Sequence, residues 1–258
     1  MFYRFVNKKI MIKILIEIGR YFLLLKKVYS KPEKGKIYAI RVIEEMAKIG
    51  LKSVGIVSII SIFMGVVIAI QYAYNIENPL IPLYLVGLAT RDSIILEFSS
   101  TMIGLVLAGK VGSNIASEIG TMKVTEQIDA LEVMGINSAS YLILPKIIAS
   151  IIFFPLLTML SMIIGIWGGW LAVVITNIIP SELYIQGLHY AFVPFYITYS
   201  LIKSFIFGFV VTTVSAYFGY YCEGGALGVG IASTKAVVYS SFIILLTNLI
   251  ITNLLLTR

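Results

Sequence analysis

Long apolar blocks separated by short polar segments run the length of this chain. About 20 apolar residues in a helix cross a hydrocarbon layer. Five blocks meet that length, at about 51–74, 84–111, 141–178, 195–218 and 236–256. Ahead of them, residues 8–28 show another pattern. Lys9, Lys13, Glu17 and Arg20 share one helical face, and Ile10, Ile14, Leu15, Ile18, Phe22 and Leu25 occupy the other. Such a helix lies along a membrane surface, because crossing would carry its charges into hydrocarbon. A basic linker over 26–36 follows, with Pro32 and Gly35 as helix breakers. A second polar helix, about 37–49, leads into the first span. The pattern predicts an all-α integral membrane protein. Residues 1–50 form cytoplasmic or interfacial amphipathic helices, and residues 51–258 form a five-span domain.

The polar segments between blocks set the orientation. Segments 75–83, which holds Pro79 and Pro82, and 179–194 contain no Lys or Arg, whereas the other connections carry Lys110, Lys123, Lys146 and Lys235. Basic loops stay on the cytoplasmic side, so the N-terminus is expected inside and the C-terminus outside. Residues 219–234 read as a glycine-rich loop. No internal repeat is visible, and five spans cannot make the equal inverted halves of many secondary transporters. A pathway would then need two copies.

Composition agrees. The chain of 258 residues is 59% hydrophobic and 13% charged, against about 45–50% and about 25% in soluble domains. Of its 20 Lys and Arg, 13 fall within residues 1–52, beside the acids Glu17, Glu33, Glu44 and Glu45. This clustering next to a span points to anionic headgroups and away from nucleic acid. The single Cys222 excludes an intramolecular disulfide and offers no metal cluster. The first apolar stretch is interrupted by Lys13, Glu17 and Arg20 and lacks a small-residue cleavage site, so no signal peptide is expected.

The segment from Gly109 to Pro145 carries the sharpest signal. An acidic helix is expected at about 121–134, with Thr121 as N-cap and Gly135 as stop. Val124, Ile128, Leu131 and Met134 form its apolar stripe, and Glu126, Asp129 and Glu132 lie largely away from it. The helix either rests on the bilayer surface or docks to a soluble partner. An acidic face beside an anionic leaflet favours docking. Small residues at three- and four-residue spacing, Gly109, Gly112, Ser113, Ala116, Ser117 and Gly120, then Gly165, Gly168, Gly169 and Ala172, suit close packing of membrane helices.

Ionisable groups within spans are expensive and mark function. Arg91, Asp92, Glu97 and Lys203 lie roughly 10–20 Å below the outer boundary at 1.5 Å per residue. They line a cavity that receives a phosphate headgroup on Arg91 or Lys203, or they form a structural pair such as Glu97 with Lys203, or Lys203 snorkels outward. Gln71, Tyr72 and Tyr74 at the outer end of the first span belong to the same mouth or to the interface. Catalysis finds no support. The stretch Gly104–Val111 follows a phosphate-binding loop for seven positions, but Val111 replaces the Ser or Thr that would hold magnesium. His189 stands without a Ser and Asp set, Cys222 has no His partner, and the glycines at 224–230 lack a preceding strand. No catalytic or metal-ligating residue is assigned.

Residues 107–150, LAGKVGSNIASEIGTMKVTEQIDALEVMGINSASYLILPKIIAS, resemble the signature region of the MlaE (YrbE) family of ABC-transporter permeases. GIWGG at 165–169, LIKS at 201–204 and the glycine-rich stretch before the last span are also similar, and the resemblance covers about residues 35–258. It implies a homodimeric permease in a bacterial inner membrane. A separate cytoplasmic ATPase that binds ATP and Mg would drive it, and a periplasmic MCE-domain protein would carry phospholipid to or from it. No cofactor is implied in this chain itself. Residues 118–135 would be the coupling helix, with Glu118, Thr121, Lys123, Thr125, Glu126, Asp129 and Glu132 facing the ATPase. The N-terminal amphipathic helix would be the interfacial elbow. Glu97 matches the acid of the family's second-span Arg-Glu motif. Leu96 stands at the Arg position, Ser99 and its neighbours replace the following Gly-Pro, and Arg91 is the candidate replacement cation. An ion-coupled secondary transporter and a non-transporting membrane scaffold are the alternative readings.

Overall fold

The structure is a computed structural model that describes residues 2–30, 35–76 and 81–256, with side chains for 15–30, 38–76 and 81–256. The expected breaks at Pro32 and Pro79, and the faces assigned to Lys9, Ile10, Lys13 and Ile14, lie outside the described residues. Every element among the described residues is helical. Five helical rods are long and apolar enough to cross a membrane.

Helix α1 (Phe2–Tyr29) precedes the rods. Helix α2 (Gly35–Met46) runs through a π-helical turn at Ala47–Leu51 into α3 (Lys52–Asn75), so polar helix and first span are continuous. The second span is built from α4 (Tyr84–Ser93), α5 (Ile103–Leu107) and α6 (Ser113–Val124), joined by π-helical turns at Ile94–Met102 and Ala108–Gly112. Short α7 (Gln127–Val133) follows, then α8 (Ser138–Thr176), α9 (Ser181–His189), α10 (Phe195–Tyr220) and α11 (Gly225–Leu256). The rods Tyr38–Asn75, Tyr84–Val124 and Ser138–Thr176 hold 38, 41 and 39 residues. At 1.5 Å per residue each is about twice the hydrocarbon thickness. Their excess builds a polar collar around α7.

Three boundaries differ from the sequence expectation. The second span runs on to Val124, so Thr121 lies inside a helix and is no N-cap. The chain turns at Thr125 and Glu126, and Glu126 is left-handed with φ 61°. The run stays helical because small residues let α6 approach α10 and α11. A Cβ on Gly112 would stand 2.8 Å from Ser215 Oγ, and one on Gly120 would stand 3.5 Å from Val229. The glycine-rich segment is a loop only at 221–224, and α11 starts at Gly225, well before residue 236. Its glycines cost about 1 kcal/mol each in helix propensity, which the packing of α11 along α6 offsets. The expected outer loop 179–194 contains α9, whose Tyr184 is fully buried among Ala69, Val86 and Val173. The stop at Gly135 is found as expected. Its φ is 79°, Ile136 N–H bonds Leu131 O at 3.0 Å, and Gly135 N–H bonds Glu132 O at 3.0 Å. That pair of bonds is a Schellman cap.

The tightest seam joins α3 to α8. A Cβ on Gly168 would sit 2.6 Å from Ile62 O, and one on Gly169 would strike Tyr184 OH. A Cβ on Gly165 would stand 3.2 Å from Ile94. Gly109, by contrast, is half-buried with open space where a Cβ would stand, so no neighbour there requires a glycine. Backbone cannot yield as a flexible side chain does, so Gly168→Ala is expected to cost about 1–3 kcal/mol. Thermal unfolding of the purified protein checks this against Ile163→Ala, which trims a side chain on the exposed face of α8. Equal stability in the two variants would remove the close-approach account.

Candidate functional site

The collar is held by two charge networks. Lys146, buried on α8, contacts Glu118 of α6 at 2.6 Å and Glu45 of α2 at 2.9 Å. Lys48 bridges the same two acids at 3.3 and 3.5 Å. The first three rods are thereby pinned at one level. The second network binds α1 to α7, α8 and α10. Lys27 Nζ donates to Glu132 Oε1 at 2.6 Å and to Tyr220 OH at 3.0 Å, while Ser138 Oγ and Tyr220 OH donate to the same carboxylate at 2.8 and 2.9 Å. Asn137 Nδ2 closes the join on Lys27 O and Ser30 O. On α1, Leu24 and Val28 are buried in the core, while Leu15, Ile18 and Phe22 remain exposed as an interfacial face requires.

The hydrogen bond from Lys27, then that from Ser138, hold the Glu132 carboxyl down at about 2 against the opposing effect of burial. A lowered folded-state pKa stabilises the fold at all pH values above the usual carboxylate range. That contribution is lost only as pH falls toward about 2. Thermal stability of Glu132→Gln is therefore expected to lie below wild type above pH 4.5 and to converge with it on approach to pH 2. Parallel curves through that window would show that the carboxylate is not held by this network.

These networks divide the acidic-segment residues into two groups. Glu118 and Glu132 are internal ties. Lys123 pairs with Asp129 at 2.7 Å across the turn. Thr121, Thr125, Glu126 and Asp129 are exposed. The expected stripe splits, since Ile128 is buried and Val124 and Leu131 half-buried, whereas Met134 is 65% exposed beside Val133, which is 88% exposed. The tip of α7 thus presents two bare apolar side chains beside Glu126 and Asp129.

A second polar centre lies within the spans. Lys203 on α10 is fully buried and its Nζ reaches Glu97 Oε1 at 2.9 Å, Leu96 O at 3.1 Å and Tyr199 OH at 3.2 Å. Thr101 Oγ1 and Asn248 Nδ2 donate to Glu97 Oε2 at 3.0 and 3.1 Å, and Tyr199 OH pairs with Thr252 Oγ1 at 2.6 Å. Glu97 sits on a π-helical turn, a distortion frequent at functional sites. Its side chain is 41% exposed despite its depth, so one edge of the cluster is open. The cation beside Glu97 is Lys203 and not Arg91.

Arg91 is engaged elsewhere. Its Nη1 donates to Leu188 O at 2.7 Å and Tyr190 O at 2.9 Å, tying α4 to the end of α9, and its Nε donates to Asp92 Oδ1 at 2.8 Å. It walls an apolar cavity of about 510 Å³ with Ile95, Met159, Ile166, His189 and Phe192. Neither Glu97 nor Lys203 lines that space. Tyr72 OH bonds Ser93 Oγ at 2.7 Å, and Gln71 and Tyr74 are exposed near the end of α3. Sequence reasoning missed Tyr199, Thr101, Asn248 and Thr252. Thr101 follows Glu97 by four residues and Tyr199 precedes Lys203 by four, so helical spacing could have found them. Asn248 and Thr252 come from another span. Among the described residues, no group of three or more His, Cys, Asp or Glu could hold a metal.

The fold is thus a crossing-helix bundle with a polar cluster at depth and a solvent-facing α7. The family described as Permease MlaE matches residues 42–254. The chain belongs to this family. A probable ABC transporter permease protein of Rickettsia bellii is 38% identical over 223 residues, 84% of each chain. The intermembrane phospholipid transport system permease protein MlaE of Haemophilus influenzae is 29% identical over 237 residues, covering 90% of this chain and 88% of that one. The chloroplastic protein TRIGALACTOSYLDIACYLGLYCEROL 1 of Arabidopsis thaliana is 33% identical over 213 residues, 80% of this chain and 59% of its own. The match of this MlaE-family permease takes in α3 to α10 entire, with the Glu97 cluster and the α7 tip both inside it.

Proposed function

We propose that the chain is the permease subunit of an ABC transporter that moves phospholipid between the inner membrane and a periplasmic MCE-domain carrier. The relative in Haemophilus influenzae is named for intermembrane phospholipid transport, and the Glu97 cluster is the observation in this chain that carries the reading. A carboxylate at depth with one open edge, braced by a fully buried ammonium, suits the cationic end of a headgroup whose acyl chains lie among apolar walls. A homodimer is the working unit. Only 17% of the most apolar stretch of α11 is buried, against at least 33% in the other spans. The exposed side chains Val238, Phe242, Leu245 and Leu249 form a face suited to a second copy. Asn248 and Thr252 place the polar cluster beside that face.

In this arrangement α7 faces the cytoplasm, the N-terminus lies inside and the C-terminus in the periplasm. A separate ATPase binds ATP and Mg and grips the α7 tip. Its closure moves α7 together with the long second and third rods, because α7 joins them directly and the Lys146 network locks them. The force is a differential interaction of the ATPase with two permease states, with no chemistry in this chain. Affinity purification of the full-length chain from its membrane, with lipid mass spectrometry and identification of co-purified subunits, tests the reading. Phospholipid together with an ATPase and an MCE-domain protein is the expected result. Ion-gradient-driven transport by the chain alone, or a preparation free of both lipid and ATPase, would overturn it.

A further inference from the structure

A second cleft, of about 450 Å³, opens at the collar and takes no part in the Glu97 cluster or the α7 tip. Lys48, Lys52, Lys110, Asn114, Ser117 and Ser233 line it. Two of the three π-helical turns border it, Ala47–Leu51 through Lys48 and Ala108–Gly112 through Lys110. Such turns inside long helices are frequent at functional sites.

The charges are unbalanced. Lys48 shares Glu45 and Glu118 with Lys146, so that network is neutral on its own. Lys52 and Lys110 have no carboxylate within ion-pair distance among the described residues. The ammonium of Lys110 donates to the backbone oxygen of Lys52. The side chains of Asn114 and Ser117 make no hydrogen bond to another described group, which leaves an amide and a hydroxyl free in the same cleft. Several donors converging around two unpaired cations match a group with several anionic oxygens, which is the geometry of a phosphate.

Its level in the membrane selects the source. Lys52 immediately precedes the apolar run of α3, and Lys110 closes that of the second span. The cleft therefore lies where headgroups meet hydrocarbon. Leu51, Ile56 and Ile231 beside it are exposed, offering apolar surface along which acyl chains can lie. We propose that this cleft binds the phosphate of an anionic phospholipid from the leaflet on the α7 side, at a site separate from the Glu97 cluster. The proposal rests on the five crossing helices and not on lipid transport.

Native mass spectrometry of the purified full-length protein in detergent tests it, by titration with dioleoylphosphatidylglycerol, dioleoylphosphatidylcholine or inorganic phosphate. Each lysine near a surface contributes about fivefold to anionic-lipid binding. The double variant Lys52→Gln, Lys110→Gln is thus expected to bind phosphatidylglycerol about thirtyfold more weakly. The pair Lys52→Arg, Lys110→Arg should restore binding, and the Gln pair should leave affinity for phosphatidylcholine, which has no net charge, nearly unchanged. Monodispersity and thermal stability of each variant separate loss of the site from loss of the fold. Phosphatidylglycerol affinity unaltered in the Gln pair, or phosphatidylcholine affinity lost equally with it, would overturn the site. Inorganic phosphate competing at equal affinity would overturn the lipid as its occupant. No ATPase or carrier enters this measurement, so its outcome stands apart from that of the transport reading.

Discussion

Replacing Glu97 with Leu is expected to destabilise the protein by about 3–5 kcal/mol, the usual cost of leaving a buried charge unpaired. Lys203 is fully buried, and its ammonium would keep only Leu96 O and Tyr199 OH as partners. The exposed edge of Glu97 places the effect toward the lower end, since the carboxylate is only partly desolvated. Thermal unfolding in detergent gives the measurement. The double variant Glu97→Leu, Lys203→Met then separates structure from function. Apolar residues of similar size remove both charges and should restore most of the lost stability. Phospholipid co-purification should remain low, because the carboxylate proposed to meet the headgroup is gone. Recovery of bound lipid together with stability would mean that the pair serves packing alone. Wild-type stability in the single variant would mean that Lys203 finds another counter-charge.

The second large effect is expected at the α7 tip. Val133→Asp with Met134→Asp should weaken association with the ATPase by at least about thirtyfold, since apolar anchors at the centre of an interface carry about 2 kcal/mol or more. Both side chains are mostly exposed, so the fold should tolerate the change. Charge reversal at Glu126 and Asp129 should abolish association in the same way while membrane insertion stays intact. Asp129 loses its Lys123 contact in that variant, and Lys123→Ala alone shows how much of the effect is local. Co-purification of the ATPase at wild-type levels with all four positions changed would remove α7 as the coupling element. The same pull-down on Glu118→Gln separates a partner contact from an internal tie. Glu118 spends its carboxylate on Lys146 and Lys48, so its loss should lower stability more than association.

Much of the scaffold was legible from local composition. A span is recognised by about 20 apolar residues because hydrocarbon offers no water to an open backbone, and that criterion needs no knowledge of neighbours. The five crossings and the stop at Gly135 follow from such local rules. Boundaries failed where neighbours intervene. Gly112 and Gly120 read as close-packing residues, but that the second span runs on past them to Val124 shows only when Ser215, Cys222 and Val229 stand against them. Gly225–Gly230 looked like a linker because propensity penalises glycine, and only the approach of α6 makes it helix. Helix α9 is nine residues long, too short for periodicity to announce it.

The candidate sites divide along the same line. Glu97 and Lys203 stood out singly, because an ionisable residue in an apolar run is improbable without a purpose. Their union, with the help of Asn248 and Thr252, required α10 and α11 to fold against the second span. Arg91 carries the same formal charge as Lys203, yet it is bound to α9 carbonyls, and no rule of spacing distinguishes the two. Glu118, Glu126, Asp129 and Glu132 were alike as acids on one segment. The structure ties Glu118 to Lys146 and Glu132 to Lys27 across helices, pairs Asp129 with Lys123 across the turn, and leaves Glu126 without an ion pair among the described residues.

The amino-acid order by itself determined that this is an all-α protein with five membrane crossings, a basic N-terminal flank and an acidic segment between the second and third spans. Those properties sum over residues close in the chain, and hydrocarbon enforces them without reference to other segments. Which cation meets Glu97, which cation pairs with Glu132 on α7, and where the lysine-lined cleft opens were decided only by tertiary packing. Each depends on a distance of a few ångströms between residues far apart in the chain, and electrostatics at that range changes sign with the partner.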